Sequence, residues 1–556
     1  YVTLPTAGEL VVLDAHTLEE LDRVFTLELP RGLAVGRFGG ELLVTHQRDE
    51  ALRFTLDLFG LPDVGGERLV PLRRGNPADL LVSDRHAQTI PQRALAVTTS
   101  PESGAFLIAH VQSTPGSERD FVEAMLDRPV DAERSAPGGY GAAVSLPGAA
   151  FDIPFRPIEP SITAVQPMGE LEPVMASRPV ADPLTGEPMS HLLDQPSDIA
   201  HHPTWTMAFV TGYGSDTVLV LNTAFPDPMI SPIALIEVGH APRAVALSPD
   251  GAHAYVLNDH QLTVSEIDLA RLFAMPTRSD GDGESVTARA SAGVPEVLRP
   301  TFPVRMRHTR AVAFGADPLP PAVRRGARVF TFARNERMSH AGEFACASCH
   351  FEGTEDKLVW FITDGPRQTP SLAGRLDGTE PFNWAGTEPD LKGNMRQTVD
   401  RMGGSGLTRD ELADLEQFLL RGLVPPPNPH LAEDGSLTEL QAWGKEIFHD
   451  PDVRCATCHR PSQEFTDGFV HDVGTASQLE LDVWEQRLAR GEDPGPRPGR
   501  LNTPSLRGLY YTAPYLHDGS AGTLMEVLER TAETMGETWH LSRQEKEALI
   551  AYLLTL

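Results

Sequence analysis

The chain carries the pattern C-x-x-C-H twice, and no other short pattern in it restricts the fold as much. The copies are Phe344-Ala345-Cys346-Ala347-Ser348-Cys349-His350 and Val453-Arg454-Cys455-Ala456-Thr457-Cys458-His459, and together they use all four cysteines. Two thiols one helical turn apart can each join one vinyl group of a haem, and the His that follows then faces the iron. This spacing is the attachment signature of c-type haem. A redox dithiol or half a zinc site also uses C-x-x-C, so a paired zinc site and two thioredoxin-like motifs are the alternatives. A His after each pair, with no cysteine left over, favours two covalently bound haem c groups. Cys346, Cys349 and His350 would hold one, and Cys455, Cys458 and His459 the other.

At 556 residues the chain is too long for one core, and two to four domains are expected. It is 40% hydrophobic and 22% charged, as soluble globular proteins are. Its net charge is −30, from 47 basic and 77 acidic residues. That balance argues against nucleic acid or an anionic membrane surface as partner. It leaves a basic electron-transfer protein, or simply a solvated acidic surface. No apolar run reaches the ~18 residues of a transmembrane segment. The sequence opens at Tyr1 without Met, consistent with a removed signal segment or a domain missing its first part. Covalent haem attachment takes place outside the cytoplasm, so a periplasmic or otherwise exported bacterial protein is expected.

Residues 1–315 read as short strands punctuated by Gly turns. Examples are Tyr1–Asp14, Leu33–Thr45, Ala94–Thr98 and Gly104–Ala109. Two units match each other best. One runs Pro196–Ala200, Ala208–Thr211 and Thr217–Leu221; the other runs Pro242–Gly251, Ala254–Leu257 and Leu262–Val264. Arg310–Phe314 reads as a further inner strand. Four-stranded units recurring every ~40–45 residues signal a β-propeller, with an irregular pair of β-sandwiches as the alternative. The Ser-Pro-Asp-Gly turn and the Tyr-Val-Leu-Asn strand resemble the YVTN class of propellers, and six to eight blades would fit, seven being favoured. From about 113 to 195 the chain turns Pro-, Gly- and acid-rich, which reads as an irregular insertion on the face meeting the haem part. His201, His202, His240 and His253 near strand ends read as bystanders rather than ligands.

From Asp317 the periodicity becomes helical. Ala322–Phe330 and Leu437–Phe448 are Gly-containing helices leading into the two motifs. Thr408–Leu420 and Ser542–Leu554 close the two copies, each opening on a capping box. Gly422-Leu-Val-Pro-Pro-Pro-Asn-Pro429 is a Pro-rich linker. Two tandem all-α cytochrome c domains, 316–424 and 425–556, therefore follow the β-propeller.

The C-terminal stretch from about 320 resembles the bacterial diheme cytochrome c peroxidase family, which includes MauG. The resemblance rests on Gly365–Leu372, Phe382–Gly386, Phe465–Gly474, Leu501–Arg507 and Thr512–Gly519. It implies that His350 and His459 are proximal ligands. It puts Trp384 between the haems as an electron relay, with a core aromatic as the other reading. It gives His517 a hydrogen-bonding role near the second haem. The carbonyls of Thr512 and Pro514 are implied to hold an interdomain calcium ion, although the matching asparagine is not evident. For the second haem's sixth ligand it points to Met535, with His540 as competitor and a surface Met as the other alternative. Near the first haem Asp400 and Arg401 stand where peroxidases carry a distal Glu, and Met402 or Met395 would instead close the iron.

Two functions follow as expectations. One is a peroxidase-like oxidoreductase: the first haem meets peroxide or a related oxidant, the second supplies electrons, and a small cytochrome or a protein substrate is oxidised. The other is a non-enzymatic electron carrier or redox sensor, with both haems six-coordinate and the propeller as a protein-docking platform.

Overall fold

The computed structural model describes residues 1–47, 51–57, 59–65, 67–70, 72, 90–101, 103–113, 125–126, 158–165, 175–179, 193–223, 231–274, 304–362, 365–495 and 497–556. Within the N-terminal part these residues form five sheets of three to five strands. The first is Val2–Leu4, Glu9–Leu13 and Glu20–Phe25. The second is Pro30–Val35, Glu41–His46, Ala51–Thr55 and Arg68–Val70. The third is Ile90–Thr99, Phe106–Ser113, Ile158–Val165 and Met175–Pro179. The fourth runs Pro196–His201, Met207–Gly212, Thr217–Asn222 and Ser231–Glu237, with Val304–Arg307 added parallel at its edge. The fifth is Pro242–Leu247, His253–Asn258, Thr263–Asp268 and Arg310–Ala313.

The opening strands of successive sheets lie side by side, and each interval between sheets has its own apolar core. Leu10 and Val24 meet Leu42, Val44 and Phe54 between the first two sheets. Leu43 and Val70 meet Phe106 and Ile108 between the second and third. Ile162 meets Val210, Leu219 and Leu235 further on, and Phe209 meets Val256 and Ile267 after that. A strand covered on both faces needs apolar side chains on both. That is why Met207–Gly212 is buried at every position instead of alternating in and out.

One backbone device recurs. Leu29, Arg93, Gln195 and Ala241 immediately precede or enter an opening strand, and all four have positive φ, between 50° and 55°. Each is followed by a register break, at Pro30/Leu33, Gln92/Ala96, Pro196/Asp198 and Pro242/Ala244. Bulges of this kind re-aim side chains. Here they direct residues at one end of the array toward the first C-x-x-C-H motif.

Two expectations change. Arg310–Ala313 is the outer strand of the fifth sheet, paired with Thr263–Glu266, and is not an inner strand: it returns to the sheet's edge after the intervening segment. The stretch 113–195 is not wholly irregular, because Ile158–Val165 and Met175–Pro179 supply the third sheet's outer strands. Most of the rest of that stretch lies outside the described residues.

The C-terminal part is helical and repeats itself. In the first half, α1 (Pro321–Thr331) leads to the one-turn α2 (Cys346–Cys349), then α3 (Leu391–Arg401) and α4 (Arg409–Arg421). In the second half, α5 (Glu439–His449) leads to the one-turn α6 (Cys455–Cys458), then α7 (Gln478–Ala489), α8 (Leu524–Arg530) and α9 (Arg543–Leu553). The expected capping boxes form, Thr408 with Glu411 and Ser542 with Glu545. The first helix of each half crosses the last at a glycine. A Cβ at Gly326 would lie 2.0 Å from the Asp414 carbonyl oxygen, and one at Gly444 would lie 1.8 Å from that of Ala548. Only a residue without a side chain permits so close an approach. No helix among the described residues is long and apolar enough to cross a membrane.

The two halves clasp each other reciprocally. The backbone N–H of Gln368 donates to the His517 carbonyl at 2.6 Å, and that of Asn502 to the Trp384 carbonyl at 2.8 Å. The Gln368 side-chain amide donates to the Pro514 carbonyl at 2.7 Å, and the Asn502 amide donates to that of Pro381. Gln368 and Asn502 each precede a Thr-Pro-Ser-Leu run, and Trp384 and His517 each stand third after the proline of matching loops.

Candidate haem centres

Each C-x-x-C-H motif folds as the chemistry requires. The two cysteines bracket one helical turn, and the His backbone N–H closes it on the first cysteine carbonyl, at 2.9 Å for His350 and 3.1 Å for His459. All four thiols are free, and burial pushes Cys346 up to about 12 and Cys455 to about 11. The His459 ring Nδ1 lies 3.0 Å from the Phe465 carbonyl. That contact fixes the tautomer and leaves Nε2 for a metal. His350 is half-buried, with its Nδ1 atom enclosed and without a hydrogen-bond partner, and burial lowers it to about 4, so it stays a neutral imidazole.

A cavity of about 630 Å³ reaches both motifs, touching Cys349, His350, Cys455, Cys458 and His459. A smaller one of about 90 Å³ lies against Cys346, Cys349 and His350. A flat, mostly apolar prosthetic group needs apolar walls, an anchoring thiol pair and a free imidazole nitrogen. Both motifs supply that set, with Phe448, Leu509, Leu528, Leu549 and Leu553 among the walls at the second and Phe330, Phe344, Leu391 and Leu415 at the first. The residues fit haem at both places.

The sixth-ligand candidates separate by position. Met535 lines the large cavity, and the neighbouring Gly536 would bring a Cβ within 3.8 Å of the Cys455 sulfur. His540 is exposed, edge-on to Trp539, and lines neither cavity. In the first half Met395 and Met402, both buried, line the small cavity with His350. Arg401 lines the large cavity, whereas Asp400 is exposed and lines neither.

Between the motifs stands a buried polar bridge. Trp384 lines the large cavity and donates its indole N–H to the Gln368 carbonyl at 2.8 Å. Its ring meets His517 edge-on at 6.4 Å. His517, 1% exposed, pairs through Nε2 with a Glu480 oxygen at 3.1 Å, and Arg367 donates to the other Glu480 oxygen at 2.6 Å. Burial alone would raise the Glu480 carboxyl, but His517 and Arg367 outweigh it and hold it at about 2. The Pro514 carbonyl, expected to face calcium with Thr512, instead accepts the Gln368 amide. Thr512 and Pro514 both line the large cavity.

A matched aspartate stands beside each second cysteine. Asp356 accepts from the Trp360 indole at 3.0 Å, and Asp467 pairs with the His471 ring at 2.9 Å. Burial raises Asp356 to about 6. The Cys458, Asp467 and His471 grouping, the one metal-like cluster among the described residues, belongs to the second haem motif.

The β-sheet array reaches the first motif directly. Arg93, 3% exposed, donates to the Ala347 carbonyl between the two cysteines and stacks over Phe351 at 5.0 Å. Gln195 donates to the Thr331 carbonyl at 3.0 Å and to the Ser348 hydroxyl at 3.3 Å. Glu352 is bound from one side by Arg31 at 2.8 Å and from another by Arg243. The four strand-end histidines serve their own sheets: His201 contacts Thr223, His202 stacks on Trp205, His240 pairs with Asp216 and His253 with Glu266.

Sequence reasoning missed Gln368, Asn502, Glu480, Arg31, Arg93, Arg243 and Glu352. Aligning the two halves on Thr-Pro-Ser-Leu would have found the first two. Glu480 sits on α7, between the strands Val470–Asp472 and Arg500–Asn502. In the first half the matching strands, Val359–Ile362 and Gly365–Gln368, are only two residues apart in sequence, so no internal repeat flags it.

No family model matches the chain. Hydrazine synthase subunit gamma of Kuenenia stuttgartiensis is 32% identical over 257 residues, covering 39% of this chain and 72% of that protein. A solved structure of hydrazine synthase from that organism aligns at 28% identity over 43% of this chain and 89% of its own, with a TM-score of 0.34. Methylamine utilization protein MauG of Methylorubrum extorquens is 28% identical over 295 residues, 43% of this chain and 80% of that protein. Cytochrome-c peroxidase IdrP2 of Denitromonas iodatirespirans is 32% identical over 161 residues, 24% of this chain and 43% of that protein. Over about 40% of its length the chain belongs to the MauG/diheme cytochrome c peroxidase-like family of c-type haem oxidoreductases.

Proposed function

We propose that the protein is an exported, peroxidase-like diheme oxidoreductase that oxidises a small electron-transfer protein or a protein substrate. Its N-terminal sheets are read as blades of a propeller of six to eight blades. Cytochrome domains at 316–424 and 425–556 would follow. The observation that carries the reading is the large cavity that touches both C-x-x-C-H motifs and has Trp384 in its wall. Two haem c groups, attached through Cys346 and Cys349 and through Cys455 and Cys458, would supply electron storage and an iron position for peroxide.

The chain's own groups then have defined tasks. His350 and His459 present neutral imidazoles, and Met535 faces His459's cavity as a thioether, which would raise the potential there. Trp384 offers an oxidisable ring between the motifs, held in place by Gln368. Arg401 is one of the polar side chains of the first half that line the cavity. Asp400 is on the exposed side and lines neither cavity, so the carboxylate expected at this position does not serve proton transfer. General acid–base help typically contributes ~10²–10⁴-fold, so peroxide reactivity should be weak.

A second reading, an electron carrier or sensor, draws on Met395 and Met402, which are buried and line the small cavity with His350, as thioethers that would close the first iron. Stopped-flow mixing of half-reduced protein with peroxide decides between the two. A spectral change at one haem within minutes supports the enzyme, and silence at both supports the carrier. Loss of all haem on acid–acetone extraction would overturn both readings.

A further inference from the structure

The Arg93 guanidinium is the most deeply buried cation that touches either motif from outside the helical part. It comes from the third sheet's opening strand, at the positive-φ residue where that strand's register breaks. It is aimed inward, donating to the Ala347 carbonyl and lying over Phe351, the residue after His350. Its second terminal nitrogen, Nη1, is buried without a hydrogen-bond partner.

The acids around it are paired elsewhere or weakened by burial. Glu352 is taken up by Arg31 and Arg243. The other acids facing Arg93 are Asp194 and Asp356, which burial raises to about 7 and about 6, toward their neutral forms. A positive charge in a dry site acts strongly on a neighbouring redox centre. It opposes the extra positive charge of the oxidised iron. The third sheet also packs on this module, with Val111 and Ile158 joining Phe344, Trp360 and Met402 in one core, so the charge is held at a fixed place.

We propose that the N-terminal β-array sets the reduction potential of the first haem through Arg93, a positioning residue that raises that potential selectively. The array is then an electrostatic part of the redox centre. The inference rests on the reading that haem occupies the first motif.

The test is spectroelectrochemical titration of the full haem-loaded protein, preceded by a pyridine haemochrome count. Arg93→Gln should lower one midpoint and leave the other in place, while Arg93→Lys, which keeps the charge, should hold both near their original values. Measured at pH 8, where Asp194 is largely ionised, Asp194→Asn, which removes a neighbouring acid and leaves Arg93 intact, should move the same midpoint upward. It also serves if Arg93→Gln does not fold. Two haems with unmoved midpoints, or with both midpoints shifted together, would overturn the inference alone. A count below two overturns the haem reading and this inference with it.

Discussion

Glu480→Gln is the sharpest perturbation of the bridge between the two halves. Glu480 is 3% exposed and bonded to both His517 and Arg367. Its carboxyl moves from an ordinary 4.5 to about 2, which is worth about 3 kcal/mol at roughly 1.4 kcal/mol per tenfold. The amide also leaves the buried Arg367 guanidinium without a counter-charge, a change that costs ~3–5 kcal/mol where it has been measured. The two routes agree on a loss of about 3 kcal/mol or more at neutral pH. The pH dependence has a definite sign. A folded-state value below the unfolded one stabilises fully above about 4.5, and that stabilisation drains away as pH falls toward about 2. Roughly two-thirds of it, about 2 kcal/mol, should be gone by pH 3. Urea denaturation of both proteins at pH 7 and pH 3 measures this directly. The gap between them should be wide at pH 7 and should narrow in acid. A variant as stable as the parent at pH 7, or a gap that does not change with pH, would refute the reasoning.

Gly444→Ala should lose about 2 kcal/mol: overpacking costs ~1–3 kcal/mol against a helix-propensity gain of at most ~1 kcal/mol, and thermal melting would show it. Asn502→Ala should cost ~1–2 kcal/mol by leaving the Pro381 carbonyl unpaired; with Gln368→Ala the two losses should not add, which a double-mutant cycle by urea denaturation would read. Met535→Ala should abolish a thioether–iron charge-transfer band and lower one haem's potential, whereas an unchanged spectrum would refute Met535 as the ligand. Trp384→Phe should keep both haems but slow the exchange of electrons between them, seen by stopped-flow reduction of the half-reduced protein.

What the sequence revealed was local. The C-x-x-C-H turns, the capping boxes at Thr408 and Ser542 and the glycine-bearing helices all depend on residues a few positions apart, and each took the expected form. The strand units at 196–222 and 242–268 were legible because buried middle strands need continuous apolar runs. What stayed hidden was set by distant pairings. Arg310–Ala313 looks like any short β-branched run, and only its partner at 263–266 makes it an outer strand. Arg93 meets Ala347 across 254 positions, and Glu480 meets Arg367 across 113. No periodicity encodes such contacts. Helix α3 was missed because its apolar positions, Leu391, Met395 and Val399, make too thin a stripe, though the Asp390 cap was there to be seen.

The reciprocal bonds of Gln368 and Asn502 have a mechanical meaning. A twist that lengthens one bond lengthens its twin, so the joint has no soft direction in which to drift. Tunnelling falls off steeply with distance, and a joint of this kind keeps the gap constant without needing a large interface. The residues that meet at its centre are unlike, however: Trp384 is an oxidisable ring and His517 an imidazole tied to a carboxylate. An even-handed frame thus holds an uneven centre, and the symmetry of the joint is one of backbone and amide bonds alone.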